Sequence, residues 1–205
     1  AHWGEILQRY REQGKSKDIA RISKLVRSYY LHSVRMKDPV PLKGLDVVAQ
    51  AELEKLEILK QRMESIGFHF PAKEYNRLLA KKNKVIAQIL GHATDIMKIG
   101  SGVGTVRAYE VLIDSLLSLA TEIREFTPKG KGPEFIKSFK TSMNKLAQML
   151  EKKAGDYKVE VRHKIVNNRI LAEAGFKYLV DSKKALPLID YSYPPGGIIM
   201  GRRGN

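Results

Sequence analysis

From Pro133 to Gly175 the chain has no internal proline and one internal glycine, Gly155. Along it Phe135, Phe139, Met143, Leu146, Leu150, Ala154, Tyr157, Val161, Ile165, Asn168 and Leu171 follow at steps of three and four, which lines side chains along one stripe of an α-helix. The spacing predicts one long amphipathic helix. Gly155 costs about 1 kcal/mol against alanine, yet the stripe keeps its phase across it. At 1.5 Å per residue such a helix runs roughly 60 Å, about twice the width of a small domain, so the remaining chain must pack along it as further long helices. The expected fold is all-α: an elongated bundle of about five to six long helices over residues 1–190, then an extended Pro/Gly-rich basic tail over 191–205.

The rest of the sequence supplies those helices. Glu5 to Glu12 is a short helical candidate stopped at Gly14. From Ser16 a stripe of Ile19, Ile22, Leu25, Val26, Tyr29, Tyr30 and Val34 predicts a second helix, ended by the breaker Asp38-Pro39-Val40-Pro41-Leu42-Lys43-Gly44. Asp46 is the expected N-cap of the next helix, which buries Val48, Ala49, Leu53, Leu56, Leu59, Met63 and Ile66. Pro71 is placed to open a helix to Lys98 through Tyr75, Leu78, Leu79, Val85, Ile86, Ile89, Leu90 and Ile96, with Phe68 and Phe70 capping the core. Gly100 to Gly104 reads as a flexible turn, after which Thr105 begins a helix to Phe126. Phe176, Tyr178, Leu179 and Val180 form a last apolar patch.

The 205 residues are 43% hydrophobic, ample for a core. The richest apolar run, Val111 to Ala120, is broken by Asp114, Ser115 and Ser118, so no transmembrane span is expected. The opening at Ala1, without methionine, suits either a processed mature protein or a fragment. Cysteine is absent, which excludes disulfides, thiolate metal sites and cysteine nucleophiles. Lysine and arginine number 37 against 22 acids, a field that attracts nucleic acid, anionic lipid or acidic protein. Residues 1–37 hold nine basic side chains against three acidic ones.

Candidate sites are few. Arg21, Lys24 and Arg27 are possible anion-binding residues, set against the plainer reading of a solvated helix face. Lys129 and Lys131, beside the N-terminus of the long helix, form a second such pair. Glu52, Glu54 and Glu57 have no acid–base partner fixed opposite them and read as solvated. The five histidines, His2, His32, His69, His92 and His163, show no metal-ligand spacing, and the glycine cluster lacks the endings of phosphate and dinucleotide loops. No catalytic residue, metal or cofactor is expected. In the tail, Tyr191, Tyr193, Ile198, Ile199, Met200, Arg202 and Arg203 either lie along the bundle or reach a partner as an extended peptide.

The segments Val106-Arg107-Ala108-Tyr109-Glu110 through Phe126-Thr127-Pro128-Lys129-Gly130-Lys131, then Pro133, Phe135 and Ser138-Phe139-Lys140, with Tyr193, Pro194, Ile199 and Met200, resemble the C-terminal part of large bacterial envelope proteins with tetratricopeptide-type helical repeats. The resemblance implies a non-catalytic scaffold outside the cytoplasmic membrane, hence in the periplasm; without it the expected compartment is the cytoplasm. The repeat signature does not recur at a period of about 34 residues, and no functional residue carries over. The expected function is a helical scaffold or protein-interaction module within a larger assembly. The alternative is a basic helical nucleic-acid-binding domain.

Overall fold

The computed structural model describes residues 6, 9, 10, 12–170 and 172–180. It is an all-α bundle of five long helices and a short sixth: α1 (Ser16–Met36), α2 (Leu42–Glu64), α3 (Ala72–Lys98), α4 (Gly102–Glu125), α5 (Pro133–Asn167) and α6 (Phe176–Val180), with a 3-10 turn at Glu173–Gly175 before α6. Ile6, Arg9, Tyr10 and Glu12 are also helical, and Gly14 has the left-handed backbone, φ 65°, that stops a helix. The expected boundary at residue 190 lies outside the described residues.

Short connections fold the chain back on itself. Lys82, early in α3, meets Met63 and Glu122, late in α2 and α4, while Asp46 and Ser101 meet at the starts of α2 and α4. Thus α2 and α4 run parallel and α3 antiparallel to both. Tyr109 bonds Glu160 and Arg124 bonds Glu151, which sets α5 antiparallel to α4. α4 is the centre, packed on α2, α3 and most extensively α5. Alanines at 147 and 154, fully buried, let α5 approach it closely.

The main core joins Leu53, Leu56 and Met63 of α2, Val85, Ile89 and Ile96 of α3, and Leu112, Leu119 and Ile123 of α4. A second cluster packs Val106, Tyr109 and Ile113 against Val161, Ile165, Tyr178 and Leu179. Phe68, Phe70, Tyr75, Phe126, Phe135 and Phe139 close one end in a chain of ring contacts, which makes Phe68 and Phe70 the caps their positions suggested. Burial and then the Glu122 charge push the Tyr75 hydroxyl up to about 12.

Three boundaries differ from the sequence reading. The long helix ends at Asn167, not Gly175: Arg169 takes φ 50°, and the chain turns so that Gly175 lies against Ile165, where a Cβ would come within 3.2 Å. α2 starts at Leu42, four residues before Asp46, with Pro41 at the cap position. Asp46 is therefore inside the helix, accepting a hydrogen bond from Ser101 at 2.6 Å. Ser101 in turn caps α4 by accepting from the Gly104 amide at 2.8 Å. Gly100 to Gly104 is thus no flexible turn: α4 already begins at Gly102, and a Cβ on Gly104 would lie 2.4 Å from that of Ala49. Glycine there lets α2 and α4 touch.

Candidate partner-binding surface

α1 is the outlier of the bundle. It packs chiefly on α2, burying Ile22, Ser23 and Val26 against Val48, where each of the other long helices packs on at least two elements. Three residues of its expected stripe lie outside: Leu25 is 40% exposed, Tyr29 60% and Val34 52%. The helix is too far out on the bundle edge for its whole apolar face to be covered.

Among the described residues an ion pair ties it to α2. Glu52, expected in solvent, is buried, and its carboxylate accepts from Lys55 at 2.9 and 3.1 Å while Arg27 of α1 stands 3.4 Å and His92 of α3 3.3 Å away. A buried carboxylate needs such company, because desolvation disfavours its charge. The sequence reading missed it because one helix cannot show that α1 and α3 bring Arg27 and His92 to that side of α2. The Ser23 hydroxyl is buried without a hydrogen-bond partner among the described residues, a further sign of an imperfect seam.

The outward face of α1 carries Arg21, Lys24 and Arg35, spaced so that they share one side of the helix with Ser28. No carboxylate among the described residues pairs with these three. Lys24, Arg27, Ser28, Leu31, His32 and Arg35 line a shallow depression of about 360 Å³ along that face. The structure therefore brings Arg21, Lys24 and Arg27 onto one exposed helix, with Arg27 partly turned to Glu52.

Beside this face, between α1 and the start of α2, lies an open apolar groove of about 570 Å³. Val26, Tyr29, Val40, Pro41, Leu42 and Val47 line it, and Lys43 is its one charged lining residue. Leu42 is 77% exposed and Met36 59%. Of the thirteen exposed large hydrophobic side chains among the described residues, six fall between Leu25 and Leu42. Apolar exposure that is concentrated, not scattered, makes this edge the candidate surface of the described residues. Sequence reasoning missed the groove because Asp38 to Gly44 read as a breaker, whereas Leu42 to Gly44 already belong to α2; the apolar residues on either side of the prolines were the available signal.

The other expected residues lie elsewhere. Lys129 and Lys131 occupy the α4–α5 connection, at the far end of α2 and α4 from the groove. Lys131 rests over the rings of Phe70 and Phe135, its Nζ 5.4 and 5.8 Å from their centroids, so its charge is engaged with aromatic faces. Tyr191, Tyr193, Ile198, Ile199, Met200, Arg202 and Arg203 lie outside the described residues.

Among the described residues no group of three or more histidines and acids is placed to hold a metal ion, and no helix is long and apolar enough to cross a membrane. No family model, no curated protein and no solved structure matches this chain.

Proposed function

We propose that the protein is a helical scaffold or protein-interaction module of a larger assembly, and that it engages its partner through α1 and the adjoining groove. The observation that carries this reading is an open apolar groove walled by the exposed Tyr29 and Leu42, on an edge of the bundle where six exposed large apolar side chains fall between Leu25 and Leu42. Leaving such a patch in water forfeits about 25 cal/mol for each Å² of apolar surface that a partner would cover. The Arg27–Glu52 ion pair ties α1 to α2 beside the patch.

The test is co-purification from the cells that express the protein, comparing wild type with Tyr29→Asp/Leu42→Asp. Met149→Asp on α5, where the native side chain is 68% exposed, serves as control. The reading expects a partner that is retained by wild type and the control and lost from the groove variant. A partner set indifferent to the groove variant would overturn it. The compartment rests on the resemblance to envelope scaffolds alone, and fractionation would test it separately.

A second reading, a nucleic-acid-binding domain, is favoured by Arg21, Lys24 and Arg35 standing together without carboxylates on one helix face. It requires an affinity for labelled oligonucleotide that falls steeply with salt and is lost in Arg21→Glu/Lys24→Glu.

A further inference from the structure

We infer that the groove and the cationic face of α1 take one occupant together: an acidic amphipathic segment of a partner protein, with its apolar side chains in the groove and its carboxylates on the cations around it. The inference rests on the interaction-module reading and specifies the partner's chemistry. Two independent features of the same edge lead to it.

The first is the charge surrounding the groove. Between Arg21 and Asp46, the stretch that lines and flanks the groove, six basic residues stand against two acids, Asp38 and Asp46. The sole charged residue in the groove lining, Lys43, is also a cation. Arg21, Lys24 and Arg35 have no carboxylate of their own among the described residues. A partner entering here meets mainly cations, and carboxylates are the complement that steers it in and excludes basic competitors.

The second feature is the apolar lining itself. A groove of about 570 Å³ walled by Tyr29, Val40, Leu42 and Val47 has the size of a site for large apolar side chains, and a helix laid into a groove offers them at steps of three and four. A phosphate backbone would neutralise the cations but leave this lining and Leu42 in water. A bilayer fits less well. Tyr29 and Val34 stand on opposite flanks of α1, with the cations between them at the solvent pole, so no roll of the helix immerses both flanks while its charges stay among headgroups. An acidic amphipathic segment satisfies both features at once.

The experiment is fluorescence anisotropy with the full chain and a panel of labelled probes. These are a peptide with leucines at helical spacing and glutamates between them, the same peptide with lysine for glutamate, the same with serine for leucine, a single-stranded oligonucleotide, and phosphatidylglycerol vesicles. The expected result is binding of the leucine/glutamate peptide, weakened about tenfold by Tyr29→Asp/Leu42→Asp and by Arg21→Glu/Lys24→Glu, with unaltered circular dichroism. These positions are exposed in the native chain, so the variants keep the fold. Equal binding of the lysine peptide would overturn the charge assignment while leaving an interaction groove in place. Equal binding of the serine peptide would overturn the groove as the anchor. Binding of the oligonucleotide or vesicles with none of the leucine/glutamate peptide would overturn the inference, as would failure of every probe to bind. Loss of a cellular partner in the groove variant, together with peptide failure, would retain the interaction-module reading and reject only its acidic partner.

Discussion

At the scale of single residues, the least expected group is Lys82. Its side chain is fully buried, its ammonium donates to the Met63 carbonyl at 2.9 Å and to the Glu122 carboxylate, and it stands 5.2 Å from the Phe68 ring. It was legible in principle, since it lies in phase with Leu78, Val85 and Ile89, but a lysine on an apolar stripe is passed over by any reading that sends charge to solvent. Lys82→Ala is expected to cost about 3 kcal/mol, from the lost stem and the carboxylate and carbonyl left short of a donor, and Lys82→Met/Glu122→Gln to recover much of that. Urea unfolding of the three proteins checks it. Glu110 gives the acid response. Burial raises its pKa, but hydrogen bonds from Lys177 and Arg107 outweigh that and hold the carboxyl below the usual carboxylate range. A depressed carboxyl adds stability that is present above its unfolded pKa and lost as pH falls through its folded one. Glu110→Gln should therefore lower the melting temperature at neutral pH and match wild type in acid, below both values; an equal gap at both pH values would mean that the charge is idle.

At the scale of elements, spacing and breakers foretold each long helix, because a stripe at steps of three and four needs only local sequence. Ends and packing depended on partners outside the helix. α5 stops at Asn167 because the following chain folds back onto Ile165, and Asp46 is no cap because α2 already begins at Leu42, which leaves its carboxylate to accept from Ser101, the cap of α4. Three of the seven residues in the α1 stripe looked like core and are surface, since nothing in α1 itself says how much of it α2 can cover. The close α2–α4 contact is the sharpest case. Gly104→Ala places a methyl 2.4 Å from the Ala49 Cβ, both atoms on helix backbones that cannot swing aside. It should destabilise by about 1–3 kcal/mol, and Ala49→Gly in the same chain should restore part of the loss. Thermal unfolding of single and double variants decides this; an additive double variant would show that the helices do not meet there.

At the scale of the whole molecule, charge is sorted by position. The central α4 holds two basic and four acidic residues and α2 four and five, whereas α1 has five against one, α3 six against two and α5 eight against four. Among the long helices the positive excess therefore belongs to α1, α3 and α5 and is not confined to the N-terminal segment that composition singled out. Charge alone would not choose a surface; α1 is distinguished by carrying its cations beside an uncovered apolar groove. The candidate site was half legible: Arg21, Lys24 and Arg27 follow from helical phase, while the groove arises only when α2 begins at Leu42 beneath Tyr29. The most direct measurement is photo-crosslinking in the expressing cells, with a benzophenone side chain placed at Tyr29, at Leu42 and, as the distant reference, at Met149. Crosslinks from 29 and 42 to the same protein partner, absent from 149, are the expected result. Crosslinks to nucleic acid, or a pattern no different at 149, would contradict a protein-binding surface at α1 and the start of α2.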